Sequence, residues 1–504
     1  MRPLTDLSRR EFLRGAASAV AVGGSVIAAG GVLAGCSESE ISTADSQFNA
    51  KSRSVVIIGA GLAGLAAAYE LTRTGWNVRV VEATDRLGGK VLTLTDGWSD
   101  GQYVDAGAEY VGANDLRMRR YIADFGLSVQ TPAPDAAQLA PGVFYGSTLT
   151  TRDAFESRDN GVVGKDLSRY YEAIDELAGT IKNLARPERA PDAKRLDSQS
   201  LASFLADLNL DRRTKFLIGN DVAYSAVGPQ NVSLLAAVQA AAYFTKVQPA
   251  RGATVAPIQG GNSQLVNAFA SRIGQDKFRM SSPVDYVVDD GTRVEVGVPG
   301  GTVQADAAVI AVPLPALAAI DIQPGLPEPV ARAASEIRYG PCASTQVQYP
   351  DRVWREGGYS GLVSSDEPIG STWDSTLNEA GTSGIITFFS TGPGANEITV
   401  DADPDVTIER CQKEFARIFP GVPANPSGKA TSFDWTTNQY SPGLNAAWAP
   451  GQVTSFWSAL RQPIGRLHLS GEYAGTKYAS MEGAVQSGNA AAKAINRADY
   501  RTDG

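Results

Sequence analysis

Gly59, Gly61 and Gly64 stand in the spacing GxGxxG, and Glu82 follows eighteen residues after the last of them. Residues of these types at this spacing can hold a dinucleotide. The first glycine permits a tight turn, the second lets backbone approach a pyrophosphate, and the third lets a helix pack on a strand. A carboxylate about 20 residues further on can take ribose hydroxyls. Elsewhere the chain offers little for metal or acid–base chemistry. Its one histidine, His468, lies in the apolar run LHLSG and reads as a buried strand residue. A His-cluster metal site is excluded, and any Ser-His-Asp triad would need that single residue. Cys36, Cys342 and Cys411 show no CxxC spacing, so neither a zinc site nor a disulfide framework is indicated.

The glycines need elements to hold them, and the flanking sequence supplies these. Ser54 to Ile58 (SVVII) is a short β-branched run that predicts a buried parallel strand. An Ala- and Leu-rich helix is predicted from the glycines through Thr72, ending at Gly75, and a second strand from Asn77 to Val81 closes with Glu82. The helix N-terminus adds amides and a positive dipole end for phosphates. Over all 504 residues the chain is 43% hydrophobic and 20% charged, which predicts a globular protein of two or three domains. Its 52 glycines suit turns where backbone meets a ligand. With a net charge of −9 and no basic patch, nucleic acid is not expected as a partner.

The first fifty residues read as an address. Ser8 to Gly15 (SRREFLRG) precedes an uncharged run from Ala16 to Ala34, and together they resemble a twin-arginine export signal. The run ends VLAGC, similar to a lipobox with Cys36 as the lipidated residue. Glycines and serine in the run weaken the rival reading as a membrane-spanning helix. Residues 36–52 read as a flexible, lipid-anchored tether. Loss of residues 1–35 would leave a net charge of −11 on an anchored body, outside the cytoplasm and joined to the cell membrane only through its lipid.

After Glu82, the segment ATDRLGGKV begins a series of motifs that resembles the flavin monoamine oxidase family. Arg86, Gly88 and Gly89 match its second glycine motif over the FAD pyrophosphate, with Lys90 where the family usually has arginine. Asp105 to Gly112 (DAGAEYVG), including Gly107 and Ala108, is similar to the segment beneath the flavin ring. Pro257 to Phe269 matches a glycine pair and helix, and Val284 falls in the strand that meets the adenine. Ala307 to Leu317 looks like an apolar strand ending in proline. Arg461 to Gly475, with Gly471 and Glu472, and Met481 to Ala492 resemble the C-terminal motif, whose helix N-terminus faces the flavin N1–C2=O edge. The resemblance implies an α/β fold: a Rossmann-type FAD-binding domain with a discontinuous α+β substrate domain. The implied FAD-binding segments are 53–130, 250–336 and 434–497, and the substrate domain is 131–249 and 337–433. Within the latter, Tyr170, Ile174, Leu177, Ile181 and Leu184 recur at helical spacing, as a core face does.

In this family the flavin takes a hydride equivalent from the carbon next to a neutral amine, and the protein desolvates and orients the substrate. Four positions depart from the pattern. The family's lysine, ten residues before a tryptophan, aligns with Ser344 ahead of Trp354. The two aromatic cage residues align with Asn445 and Ser480, although Tyr478 or Trp448 could restore an aromatic wall. The arginine that grips the substrate carboxylate in snake-type L-amino-acid oxidases aligns with Tyr110. The expected activity is therefore oxidation of a small amine to an imine. The alternatives are a flavin-dependent desaturase on the same fold, and a non-catalytic flavin-binding envelope lipoprotein. Leu444 stands where mammalian-type relatives attach the flavin to cysteine, so FAD is expected to be non-covalent. Without the lysine, a redox carrier rather than oxygen is expected as electron acceptor.

Overall fold

A computed structural model describes residues 53–500 except 251, 425, 427 and 499; the export segment, Cys36 and the tether lie outside the described residues. The first strand, Ser54–Ile58, is buried along its whole length. It is the centre of a parallel sheet with strand order Leu467–Leu469, Ala307–Ile310, Ser54–Ile58, Asn77–Val81 and Phe278–Arg279. Burial on both faces explains its unbroken apolar β-branched sequence. His468 lies in the edge strand Leu467–Leu469, its Nε2 2.6 Å from the Tyr500 hydroxyl. Burial lowers its imidazole to about 4, so it is a structural residue.

The helix Leu62–Arg73 follows the first strand directly and packs against the C-terminal helix Met481–Arg497. Their approach depends on a small residue: a Cβ on Gly488 would lie 2.2 Å from the Ala63 carbonyl oxygen. This contact sets the first turn of Leu62–Arg73 against the middle of the C-terminal helix.

A seven-stranded mixed sheet forms the other large layer. Its order is Ala430–Asp434, Cys342–Tyr349, Gly384–Thr391, Ser371–Asp374, Tyr359–Ser365, Ala140–Tyr145 and Thr148–Thr151. Cys342–Tyr349 is buried at all eight positions and alternates with period two. Ala343, Val347 and Tyr349 pack with Phe415 of the helix Pro404–Ile418, while Cys342, Ser344, Gln346 and Gln348 take the opposite face. Helices from Arg152 to Lys246 pack around Tyr170, Ile174, Leu235 and Val238, which joins the helical-spacing residues into one core. Val284 departs from expectation: it lies outside regular structure, two residues before the strand Tyr286–Asp289, rather than within it.

Candidate active site

A single cavity of about 1040 Å³ runs from the Gly59–Gly64 turn to the face of the seven-stranded sheet. At the first end the walls are mostly backbone. Gly59 has φ +98°, and a Cβ there would lie 2.9 Å from the Ala311 carbonyl oxygen. A Cβ on Gly64 would lie 2.0 Å from the Gly59 carbonyl oxygen, so the helix can meet the strand only with glycine there. Gly61 differs: it caps Leu62–Arg73, and a Cβ there would meet nothing within 4 Å. That open space before unpaired helix amides fits a pyrophosphate. Gly88 (φ +105°) bridges to Gly61, and Gly89 lies beside it.

Side chains around this cradle brace it. Glu82 Oε2 accepts the Ala60 N–H at 2.7 Å, and Oε1 accepts from Thr84 N at 3.0 Å and Thr84 Oγ1 at 2.9 Å. The Arg86 guanidinium donates to the Gly89 carbonyl at 2.6 Å, and burial lowers its proton affinity. Ser282, Pro283 and Val284 close the same end.

The middle of the cavity holds Lys90, Gly107, Ala108, Gly471, Glu472 and Met481. The Lys90 ammonium donates to the Leu444 carbonyl at 2.9 Å and the Pro442 carbonyl at 3.4 Å. Its first task is thus to hold that loop, rather than the phosphate contact expected from the sequence. Burial lowers it to about 8, against the opposing charge of Glu472. The Gly107 segment lies on the Lys90 backbone: a Cβ on Gly107 would be 1.9 Å from the Lys90 carbonyl oxygen, and Ala108 N–H donates to that oxygen at 2.9 Å. Glu472 accepts from the Tyr339 hydroxyl at 2.8 Å and from Ala446 N and Ala479 N at 3.1 and 3.0 Å. Cys342, from the segment assigned to the substrate domain, also lines the cavity near Lys90. Burial pushes its thiol up to about 12.

At the far end, Tyr110, Asn445, Tyr478 and Ser480 all line the cavity. Tyr110 is 39% exposed, toward this cavity, and meets Trp373 edge-on at 6.1 Å. Tyr478 donates to the Ala236 carbonyl at 3.2 Å. Ser480 has a structural duty, its Oγ accepting the Gly483 N–H at 3.0 Å as the cap of Met481–Arg497.

Two expectations fail here. Ser344 does not line the cavity: its Oγ is held by Gln346 Nε2 at 2.6 Å, and Phe389 on the paired strand reaches the cavity instead. Trp448 is buried against Trp457 at 4.9 Å and supplies no wall. The aromatic surface comes from Trp373, Phe389, Tyr243 and Phe244, which motif reading missed. Lys477, paired with Asp115, was also missed. So was Glu109, buried in the cavity wall inside the DAGAEYVG segment. The signal for Glu109 was available: an acid amid small and apolar residues next to Tyr110. Among the described residues no group of three His, Cys, Asp or Glu is placed to hold a metal, and no helix is long and apolar enough to cross a membrane.

The family model for flavin containing amine oxidoreductases matches residues 62–496. The chain is 27% identical over 458 residues to a flavin-containing amine oxidase of Oncorhynchus mykiss, covering 88% of this chain and 85% of that protein. It is 26% identical over 462 residues to an L-amino acid dehydrogenase of Synechocystis sp., covering 87% and 94%. Cyclohexylamine oxidase from Brevibacterium oxydans superimposes with a TM-score of 0.77 at 28% identity, over 88% of this chain and 99% of that one. Putrescine oxidase bound to putrescine shares the fold, with a TM-score of 0.76 at 24% identity and coverage of 88% and 99%.

Proposed function

The chain belongs to the flavin-containing amine oxidoreductase family, an FAD-dependent enzyme acting on amines, and on that premise we propose that it oxidises the C–N bond of a small amine to an imine outside the cytoplasm. One observation carries the reading: a single cavity joins the dinucleotide cradle to an aromatic-walled end. FAD, when bound, accepts the two electrons released as the C–N single bond becomes C=N. The Gly59–Gly64 turn would hold the pyrophosphate at the helix N-terminus, Glu82 the ribose, and Val284 the adenine. The N-terminus of Met481–Arg497 would stabilise negative charge on the ring edge it faces. Tyr110, Trp373, Phe389 and Tyr478 exclude water and orient the substrate. Anaerobic mixing with a panel of amines, amino acids and polyenes tests the assignment; bleaching of the flavin by polyenes but by no amine would overturn it.

FAD is held without a covalent bond in this reading. Leu444 cannot form a thioether, and a buried thiol such as Cys342 is a poor nucleophile. Acid precipitation should release FAD to the supernatant; a yellow pellet would reject the claim.

The electron acceptor is a redox carrier. Among the described residues lining the cavity, Lys90 is bonded to carbonyls and faces Glu472, Lys477 pairs with Asp115, Arg86 with the Gly89 carbonyl, and Arg152 with Glu156. None is left unpartnered to stabilise developing superoxide. Flavin reduced anaerobically should reoxidise slowly in air, and a millisecond half-time would defeat the idea.

The export reading rests on Arg9, Arg10 and Cys36. Replacing both arginines with lysine should retain the protein inside the cell, and Cys36→Ala should release it from membranes. Unchanged fractionation of the cysteine variant would reject the anchor.

A further inference from the structure

Most carboxylates on the cavity wall face a cation. Asp115 pairs with Lys477, Asp374 with Arg355 at 3.0 Å, Glu82 faces Arg86, and Glu472 faces Lys90. Glu109 is different. It is buried in the wall, and no lysine or arginine of the described residues forms an ion pair with it. Its partners are neutral: Trp373 Nε1 donates at 2.6 Å and Ser375 Oγ at 3.4 Å, both to Oε2. Ser375 is in turn 2.8 Å from Thr387 Oγ1, so that side of the carboxyl is tied into the sheet. The Tyr110 hydroxyl, exposed to the cavity, is the third neutral partner, hydrogen-bonding the same carboxyl, so three donors surround it and no cation does.

A buried carboxylate with no counter-charge is costly and takes up a proton unless a ligand supplies the charge. The surroundings reinforce this: desolvation first, then Asp105, raise Glu109 to about 8. Asp105 is itself raised to about 7 by burial, and the other charged group near Tyr110 is Asp374, already paired with Arg355. The missing partner is a small cation that enters by the cavity.

We propose that Glu109 is the counter-ion of the substrate's ammonium group and a specificity-determining residue, admitting cationic amines and turning away α-amino acids, whose carboxylate it would repel. This rests on the reading of the cavity as an amine site. The proton step balances within the pair: one N–H bond of the ammonium breaks, one O–H bond forms on Glu109, and a neutral amine stands beside a neutral carboxylic acid. No further co-reactant is needed for that step. The oxidisable free amine is thereby produced in the dry site rather than drawn from its scarce population in water.

The test uses the FAD-loaded protein with tert-butylammonium, which has no hydrogen on the carbon bearing nitrogen, and with tert-butanol as its neutral counterpart. Binding is followed by perturbation of the flavin spectrum. Glu109→Gln should weaken tert-butylammonium by at least ~10-fold, the loss of one charge-assisted hydrogen bond, and leave tert-butanol unchanged. The KM for a primary alkylamine should rise with it. Equal binding of the cation by the wild type and an FAD-retaining Glu109→Gln protein would overturn the proposal. Trp373→Phe is the second variant: removing the indole donor should raise the pH midpoint of tert-butylammonium binding, and an unmoved midpoint would count against Glu109. The two readings fail separately. Glu109-dependent cation binding in a protein that no amine can bleach would sink amine oxidation alone. Bleaching by amines with the same KM in Glu109→Gln would sink the role of Glu109 alone.

Discussion

At the cradle end of the cavity the protein presents backbone: a turn of three glycines, the amides of a helix, and a few side chains that brace the loop itself. At the far end it presents side chains drawn from distant parts of the chain, with Tyr110, Trp373, Phe389, Asn445 and Tyr478 meeting across a sheet and two loops. The first end is coded locally. Each requirement is a residue type at a fixed offset, because the strand, turn and helix follow one another directly. The second end is coded by topology, since strand order and register decide which side chains share a wall. Backbone recognition should therefore break at single atoms, and side-chain recognition should degrade by degrees.

The sharpest contrast lies within the cradle. Gly64→Ala places a Cβ 2.0 Å from the Gly59 carbonyl oxygen. It should cost ~3 kcal/mol, the upper end of overpacking costs, and leave little FAD-bearing protein, since backbone cannot yield as a side chain would. Gly61→Ala meets only open space in the protein. It should leave the thermal midpoint of the FAD-free protein unchanged while weakening FAD about tenfold, because the methyl enters the pyrophosphate's place. Equal behaviour of the two variants, read by flavin content and thermal melts, would erase the distinction.

The far end should respond to pH. Burial raises Glu109 to about 8 from an ordinary carboxyl value near 4.5. The folded state then binds more protons than the unfolded one between those values. Stability is fully present below the lower value and is lost as pH rises through the upper one. A tenfold change in proton affinity is worth about 1.4 kcal/mol, so Glu109→Gln should gain stability over the wild type by up to a few kcal/mol at pH 9 and little at pH 4. Asp105 and Glu379, also raised by burial, keep part of the slope in the variant. Parallel melting curves of the two proteins across that range would mean Glu109 is ionised and already compensated.

Glu82→Ala tests the cradle's one polar side chain that is legible from spacing. Loss of hydrogen bonds to a charged group should weaken FAD by about 1–3 kcal/mol. Because Glu82 also ties down Ala60 N–H, a smaller fall in the stability of the FAD-free protein should accompany it. An unshifted FAD dissociation constant would remove Glu82 from the ribose.

These contrasts explain what the sequence made legible. The first two parallel strands, the glycine turn and Glu82 are legible in a run of about thirty residues, because these elements follow one another directly, whereas the strands Ala307–Ile310, Leu467–Leu469 and Phe278–Arg279 join the sheet from far along the chain. Ser344 illustrates the reverse. Its place on the strand Cys342–Tyr349 followed from apolar alternation, but its reach did not. The rotamer of Gln346 and the ring of Phe389 on the paired strand decide that, and neither leaves a mark on spacing. Cys342 entered the cavity for the same reason, through the register of that strand against Gly384–Thr391. Glu109 stood within a recognised motif, yet only Trp373, from the distant strand Ser371–Asp374, and the absence of a facing cation among the described residues show what is unusual about it.

The smallest effect belongs to Ser344→Ala. The hydroxyl lies behind the wall and accepts a hydrogen bond from Gln346, so its loss should cost about 1 kcal/mol of stability. The alkylamine KM and kcat should stay within about twofold, since Ser344 does not line the cavity and changes without shared partners couple by only ~0.5 kcal/mol. Ser344→Lys sharpens the point. A lysine is long enough to carry a charge past Phe389 into a cavity whose described cations are otherwise bonded. If reoxidation by air then quickens while the rate with a dye acceptor holds, the acceptor is set by the charge at this wall. If Ser344→Ala alone changes the amine kinetics, the hydroxyl reaches the substrate after all, and the line drawn here between a locally coded cradle and a topologically coded wall has been put in the wrong place.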